Sequence, residues 1–422
     1  MAVQLDEEIK MLLGTRWRDA LVRTVRRIIA SAVAVAFGLA FAALPAGAQQ
    51  TRAEEVGKKQ EEKAAVAAPY QPNRFEAIML ALEESFVSPP DGFFPAFDSV
   101  YSGGGFTLGA GYRNFFGRKA VWDVRGLYSI KNYKMGEFGI RTPWDNRGRW
   151  TIGFRTGWRD ATQVGYYGVG NNTSQDDRAN SRIQQGYGEI AASFRPSSWT
   201  RLHATSAYEE FKTEEGQGRA PSIETIYNQF DTPGLFSNPK YVHSVVTAAI
   251  DWRTSPGYTR KGGYYGVTFV DYTDVDDTFS FQRLDGELVQ HLPILRETWV
   301  ISLRARVQST LDDNDVVPYF LLPQLGSGRT LRAYPTGRFR DRHALLTNAE
   351  LRWIPSRVGL DMAIFYDAGK VAPRLEDLDF DGMNHNWGIG ARFHGPTATV
   401  LRLEAAYGTD GWHLVFATSA AF

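Results

Sequence analysis

Residues 411–422 read GWHLVFATSAAF, and this C-terminal stretch decides between fold classes. Large apolar side chains at Trp412, Leu414 and Phe416 alternate there with smaller or polar ones. Successive side chains of a strand point to opposite faces of the sheet. The stretch therefore predicts a strand with one continuous apolar face, either the closing strand of a transmembrane barrel or an edge strand of a soluble sandwich.

The same two-residue period recurs upstream. In residues 298–308, Trp299 and Ile301 share one face while Arg304 and Arg306 share the other. A single strand of this kind cannot separate a barrel from a sandwich, because both bury one face. The number of strands does separate the two folds, and the pattern predicts fifteen strands from residue 106 to the C-terminus.

The arrangement of the predicted strands indicates one more at the N-terminal side. Bacterial barrels have an even number of strands, with short turns on the periplasmic side and longer loops outside. Alternation from the C-terminus then requires a further strand, which we expect near residues 94–102. The predicted fold is an all-β transmembrane antiparallel barrel of about sixteen strands over residues 93–422.

Composition agrees with this fold and argues against other classes of protein. The chain has 41 Gly, 13% aromatic residues and no Cys, and an exported barrel does not need disulfides. After the first fifty residues, no apolar run reaches the length of a membrane-spanning helix. Lys and Arg (47) balance Asp and Glu (47), so no nucleic-acid partner is expected.

The N-terminal part is expected to direct export. Arginines between positions 23 and 27 precede an apolar stretch, and Ala46-Gly47-Ala48 supplies small residues for cleavage, so residues 1–48 are predicted to be a signal peptide. An uncleaved anchor helix is the alternative. The expected location is the bacterial outer membrane.

Residues 49–92 are predicted to be a linker between the signal peptide and the barrel. They begin with a charged, low-complexity segment. Apolar side chains then fall at helical spacing, at Phe75, Ile78, Met79, Leu82 and Phe86. This pattern predicts either a short amphipathic helix, on the membrane surface or in the barrel mouth, or a tether without structure.

Two blocks near the C-terminus suggest a contact inside the barrel. The first, residues 326–334, reads GSGRTLRAY and lies in a long connection; the second, residues 365–371, reads FYDAGKV. Strand alternation points Asp367 toward the lumen. A lumenal carboxylate and the guanidinium of Arg332 can form a bidentate pair that pins the loop, whereas the alternative is a solvated Arg332.

These blocks, followed by GIGAR (388–392) and LRLEAAYG (401–408), resemble the bacterial surface antigen family, the BamA/TamA-type outer-membrane assembly-factor barrels. The resemblance is specific over residues 321–422 and only architectural upstream. It implies that the loop tip folds into the lumen and meets the following strand there. The matching positions in this sequence are Arg332, Tyr334, Phe365, Asp367 and Gly369. Ala333 stands where the family usually has glycine, and its Cβ disfavours a positive φ.

Further expectations concern the closing strand, the girdles and the lumen. The closing strand is expected to act as an assembly signal through Trp412, Leu414, Phe416 and Phe422. Its small residues at 419–421 are expected to pair loosely with the first strand.

Aromatic residues near strand ends, including Tyr166 and Tyr167, are interpreted as interfacial girdles. Other lumenal charges are expected to form a ladder that needs no function, among them Arg304, Glu350, Arg352, Arg402 and Glu404.

Two functions are compatible with these features. The first is assembly, insertion or translocation of outer-membrane proteins or lipids, by a barrel whose edge strands separate. The second is a porin-like or anchoring barrel without insertase activity. Fewer than fifty residues separate Ala48 from the first predicted strand, so the periplasmic repeat domains of the family's insertases are expected to be missing.

No enzymatic activity is expected from the sequence. No zinc-type spacing occurs, and Gly326-Ser327-Gly328 lacks the strand-to-helix context of a nucleophile elbow. Neither a cofactor nor a metal is expected. The expected partners are the outer-membrane lipid bilayer and other outer-membrane or periplasmic proteins.

Overall fold

The structure is a computed structural model. It describes residues 72–87, 91–117, 119–311, 316–356 and 358–422. The predicted signal peptide, residues 49–71 of the linker and the side chain of Phe86 lie outside the described residues. Within these ranges, no helix is long and apolar enough to cross a membrane.

In the described part of the chain, sixteen antiparallel strands form one sheet in which each strand pairs with the next strand of that sheet along the sequence. They are β1 (Gly92–Ala96), β2 (Thr107–Phe116), β3 (Ala120–Ser129), β4 (Lys134–Arg141), β5 (Trp150–Tyr166), β6 (Ala179–Phe194), β7 (Thr200–Glu215), β8 (Lys240–Asp251), β9 (Gly262–Asp274), β10 (Phe281–Ile294), β11 (Trp299–Thr310), β14 (His343–Trp353), β15 (Gly359–Ala372), β16 (Asn384–His394), β17 (Thr399–Gly408) and β18 (Gly411–Ala417). A separate two-stranded sheet pairs β12 (Gln324–Leu325) with β13 (Phe339–Arg340). The predicted sixteen-stranded barrel is confirmed.

The connections define two ends of the barrel. Four long ones leave the same end, at residues 167–178, 216–239, 311–342 and 373–383. We call this the loop end and the opposite one the turn end. Each of the seven connections at the turn end has at most ten residues.

Alternation along the strands separates an outer from a lumenal face, as predicted. On β15, Met362 and Ile364 are exposed at 52% and 57%, whereas Asp361 and Asp367 are fully buried. The apolar outer face suits lipid, and the polar inner face forms the core of the barrel.

The two edge strands differ from the prediction. β1 covers Gly92–Ala96 and not 94–102, because the chain turns inward after Ala96, where Val100 is buried. β18 ends at Ala417, so the small residues at 419–421 are not in the strand and cannot pair with β1 as expected. Phe422 also lies off the strand, with its ring centroid 6.1 Å from that of His291 on β10.

The interpretation of Tyr166 and Tyr167 as girdle residues was wrong. Both side chains are buried, and Tyr166 packs edge-on against Tyr227 and Tyr319 beneath the loops of the loop end. Position near a strand end does not fix the face of a side chain, and Tyr166 lies on the lumenal face. Trp412, in contrast, is 63% exposed on the outer face.

Among the described residues before the barrel, a helix, α1 (Arg74–Val87), packs against β15, β16 and β17. It begins with a capping box, in which the Asn73 side chain accepts from the amide of Glu76 and the Glu76 side chain accepts from the amide of Asn73, both at 2.9 Å. The carboxylate of Glu83 is buried against the β16–β17 turn. It accepts hydrogen bonds from the amides of Thr397 (2.7 Å) and Ala398 (2.6 Å).

Candidate functional site

The connection between β11 and β14, residues 311–342, folds into the lumen. Within the loop, the backbone makes a tight contact directly after β12. Gly326 has φ +95°, and a Cβ there would lie 2.2 Å from the carbonyl oxygen of Pro335. Leu331 and Tyr334 are fully buried in an apolar cluster with side chains of β14, β15 and β17. The loop is therefore packed as part of the core.

Arg332 lies at the centre of this packing and is 1% exposed. Its Nε and Nη2 donate to the two carboxylate oxygens of Asp367, at 2.9 and 2.8 Å. The guanidinium carbon lies 3.4 Å from the ring centroid of Phe365. The arginine is therefore held by a bidentate, charge-assisted pair and by the face of an aromatic ring.

The same guanidinium reaches two further strands. Arg332 Nη1 donates to Glu350 on β14 (3.0 Å) and to Glu404 on β17 (3.1 Å). Arg392 contacts both of these carboxylates, and Arg402 donates to Glu404 at 2.9 Å. Three guanidiniums thus face three carboxylates in a buried, hydrogen-bonded network. The pairing of each buried charge with hydrogen-bonded opposite charges offsets the cost of removing these groups from water.

The electrostatic surroundings keep Arg332 charged. Burial alone favours the neutral form of a guanidinium. The adjacent carboxylates of Asp367, Glu404 and Glu350 outweigh burial and raise the pKa of Arg332. Asp367 also accepts hydrogen bonds at 2.8 Å from the side-chain amides of Asn348 and Asn386, which fixes its orientation.

Glycines on β15 and β16 make room for this arrangement. A Cβ at Gly369 would lie 2.8 Å from Cδ1 of Leu325 in the loop. A Cβ at Gly388 would lie 2.4 Å from the Phe365 ring. The absence of side chains at these positions lets the loop and the aromatic ring approach the barrel wall.

Tyr334 and Ala333 fix the tip of the loop near β16–β18. The Tyr334 hydroxyl lies 3.1 Å from the carbonyl oxygen of His385 and 3.2 Å from Oγ1 of Thr409. Ala333 is not among the described non-glycine residues with positive φ, so alanine is compatible with the backbone here. A Cβ at Gly408 would lie 3.0 Å from the Ala333 methyl group, which therefore packs directly on that glycine.

Arginines of the barrel wall hold the deepest part of the loop. Arg402 donates to the carbonyl oxygen of Gly328, and Arg304 donates to that of Arg329, both at 2.7 Å. Sequence reasoning assigned Arg304 and Arg402 to a ladder without function. The structure instead places them against the loop backbone.

The segment of this loop around residues 338–340 crosses the loop end of the barrel. Arg338 donates to Asp410 in the β17–β18 turn at 2.7 Å. Arg340 donates to the carbonyl oxygen of Gly165 on β5 at 2.9 Å. Because these partners are far apart in the sheet order, the loop bridges the mouth of the barrel.

A second inward segment, at the turn end, was missed by sequence reasoning. Residues 252–261 join β8 to β9, and Tyr258 within them is 2% exposed. Its hydroxyl donates to Asp361 on β15 at 2.7 Å. Arg352 on β14 donates to the same Asp361 oxygen (3.0 Å) and to the carbonyl oxygen of Thr259 (2.7 Å). The available signal was Arg352, which the sequence placed in the lumen but assigned only to a ladder of charges without function.

The predicted site residues fall into two groups. Arg332, Tyr334, Phe365, Asp367 and Gly369 lie together at the loop. Trp412, Leu414 and Phe416 lie on the outer face of β18, away from the loop, whereas Phe422 is not on that strand. Sequence reasoning missed Glu350, Arg392 and Glu404 as direct members of the charged network. In the described part of the chain, no cluster of His, Asp and Glu side chains is arranged to hold a metal ion.

Comparisons with known proteins agree with the geometry. The sequence profile of the Omp85 superfamily domain matches residues 114–411. The fold is similar to that of BamA from Haemophilus ducreyi lacking POTRA domains 1-3, with 13% identity, a TM-score of 0.55, and coverage of 77% of this chain and 68% of that one. It is also similar to CdiB from Escherichia coli, with 12% identity, a TM-score of 0.52 and coverage of 77% and 61%.

The chain thus spans about three fifths of the length of that CdiB chain. At such low identity, these structures establish the fold alone. A comparison with curated protein sequences gives no match.

Proposed function

This chain belongs to the Omp85 superfamily, and we propose that it is an outer-membrane barrel that assembles, inserts or translocates outer-membrane proteins or lipids. The proposed role is not enzymatic. In the outer membrane, the loop end faces outward and the turn end faces the periplasm, since long loops of such barrels lie outside. The observation that carries the proposal is the buried contact set of Arg332.

The contact set argues against a diffusion pore. Arg332 joins the loop to β14, β15 and β17 at once, through Glu350, Asp367 and Glu404. A solute would have to displace a buried bidentate pair that is costly to break. The segment anchored by Tyr258 occupies the periplasmic mouth as well. A barrel whose lumen is obstructed at both ends is suited to engage its clients through the strands of its wall and not through its lumen.

The seam between the first and last strands supports work at the wall. β1 has five residues and β18 has seven, and no backbone ladder joins them among the described residues. An edge with free amides and carbonyls is a template for another strand. We propose that client strands or lipids engage this seam.

A reversible crosslink across the seam tests the proposal. The chain has no cysteine, so Phe93→Cys on β1 and Phe416→Cys on β18 introduce the only thiols, both at exposed positions of the outer face. The chain is reconstituted in liposomes, and folding of a denatured outer-membrane barrel is followed by protease protection. A reducible crosslinker should slow client folding to the rate of empty liposomes, and reduction should restore it.

Neighbouring strands provide the matched control. Leu292→Cys on β10 and Ile301→Cys on β11 are directly paired within the wall, so their crosslink should leave the rate unchanged. Equal activity of the two crosslinked proteins would refute a role for the seam. No acceleration by any form of the protein would favour the porin-like or anchoring alternative.

A further inference from the structure

The two ends of the barrel carry opposite charge. The seven connections of the turn end contain ten Lys and Arg but only two Asp and Glu. The eight connections of the loop end contain nine Lys and Arg and sixteen Asp and Glu. The formal net charge of zero therefore conceals a strongly basic periplasmic rim and an acidic outer rim.

The basic side chains of the turn end are accessible. Of the eight that lie within the described residues, six are exposed, namely Lys119, Arg147, Arg149, Arg195, Lys261 and Arg296. Of the two acidic residues there, Asp145 accepts a hydrogen bond from the amide of Trp150 at 3.0 Å and so shapes its own turn. The field at this end is consequently positive.

Tryptophans mark the level at which these charges lie. Trp150, Trp199 and Trp353 are 50%, 63% and 40% exposed at the turn end. The guanidinium carbon of Arg195 lies 3.8 Å from the ring centroid of Trp144. Exposed tryptophans of membrane proteins sit at the headgroup level. The basic residues of the adjoining turns therefore border the phosphate layer of the periplasmic leaflet.

Helix α1 extends the same surface. Ile78 is 56% and Leu82 38% exposed on one face, whereas Met79 and Glu83 on the opposite face are buried against the barrel. Phe75, next to the exposed face, packs 6.2 Å from Phe393 on the outer, lipid-facing side of β16. The exposed apolar face of α1 is thus continuous with the apolar belt of the barrel, as expected for a helix in the interface plane.

We propose that the basic turns and α1 together form a surface that binds the anionic phospholipids of the periplasmic leaflet. The charge is complementary to phosphate headgroups, and the apolar helix face fits the boundary between headgroups and acyl chains. Glu83 holds the helix to the β16–β17 turn, so lipid is recruited beside the last strands of the barrel. The inference rests on the outer-membrane placement proposed above, but not on any activity toward clients.

Competition between brominated lipids tests this surface. The folded full chain is reconstituted in vesicles, and quenching of its tryptophans by brominated phosphatidylglycerol is compared with quenching by brominated phosphatidylcholine. We expect the anionic lipid to be preferred about fivefold or more, since each basic residue near a charged surface contributes about that factor. Salt should reduce this preference in the unmodified protein.

Two charge-reversal variants locate the effect. The triple variant Arg147→Glu, Arg149→Glu, Arg195→Glu should lose most of the preference. The matched triple variant Lys134→Glu, Arg219→Glu, Lys240→Glu changes three exposed residues of the loop end by the same charge and should keep it.

The quenching results test the proposed lipid-binding surface independently of client folding. Equal quenching by both lipids in the unmodified protein, or an equal loss in both variants, would overturn it. Because the salt titration needs no substitution, a variant that fails to fold leaves the test intact. Normal client folding in liposomes without anionic lipid would leave the proposed function standing even if this surface were disproved.

Discussion

The guanidinium carbon of Arg332 lies 3.4 Å from the ring centroid of Phe365, in a pocket of the barrel wall. The ring reaches this position because Gly388 has no side chain. The stack orients the guanidinium so that one edge meets Asp367 and the remaining amino group meets Glu350 and Glu404. The loop is therefore joined to three strands by a single side chain.

Removal of either member of the bidentate pair should destabilise the barrel. Arg332→Ala leaves Asp367 buried without its cation, and Asp367→Ala leaves the guanidinium without its main partner. Each change should lower the free energy of unfolding by about 3–5 kcal/mol. The double variant should lose less than the sum of the two, measured by urea unfolding in lipid vesicles. Additive losses would disprove direct coupling.

Lysine should not replace Arg332. An ammonium group is a compact charge and cannot match the two oxygens of Asp367 while it also stacks on Phe365. We expect Arg332→Lys to remain destabilised by at least about 1 kcal/mol, as for a lost hydrogen bond to a charged group. Thermal unfolding measures this, and full stability of the lysine variant would show that charge alone holds the loop.

Gly369 should not tolerate a methyl group. Its Cβ would approach Leu325 Cδ1 to 2.8 Å and the carbonyl oxygen of Leu345 to 3.0 Å. Gly369→Ala should therefore cost about 1–3 kcal/mol through overpacking. Gly186→Ala on β6 is the control, because nothing lies within 4 Å of a Cβ there. Equal unfolding free energies for the two variants would contradict the packing described for Gly369.

Loss of Tyr258 should release the segment at the turn end. Tyr258→Ala removes the hydroxyl bonded to Asp361 and the ring that fills the space beneath β14–β16. Trypsin should then cut faster after Arg260 and Lys261, since cleavage follows local opening. Cleavage after the exposed Arg147 serves as the internal control and should not change. Unchanged cleavage at residue 260 would mean that Tyr258 does not anchor the segment.

Much of the wall was predictable from two-residue alternation alone. The pattern predicted fifteen of the sixteen strands, the even strand number of bacterial barrels indicated the sixteenth, and alternation correctly turned Asp367 of β15 toward the lumen. The position of the loop did not follow from periodicity: the charges of Arg332 and Asp367 left it open, and the resemblance to a family implied it. A loop sequence such as GSGRTLRAY contains no repeating pattern that specifies its tertiary partners.

The parts that were missed depend on distances between strands. Glu350 and Glu404 meet Arg332 only because register and barrel curvature bring β14, β15 and β17 around one point. The inward turn of Tyr258 and the departure of residues 418–422 from β18 are likewise tertiary effects. Small residues near a chain end are compatible with either a strand or a tail, so the sequence could not assign Phe422.

Conductance in planar bilayers tests the central claim most directly. The claim is that the Arg332 contacts hold the loop in the lumen, so the unmodified protein should show small, flickering conductance that grows in Arg332→Ala. Arg306→Ala is the matched control, because this lumenal arginine contacts Asp285 and not the loop. A large, steady conductance that Arg332→Ala leaves unchanged would show that the lumen is open, and would contradict the account.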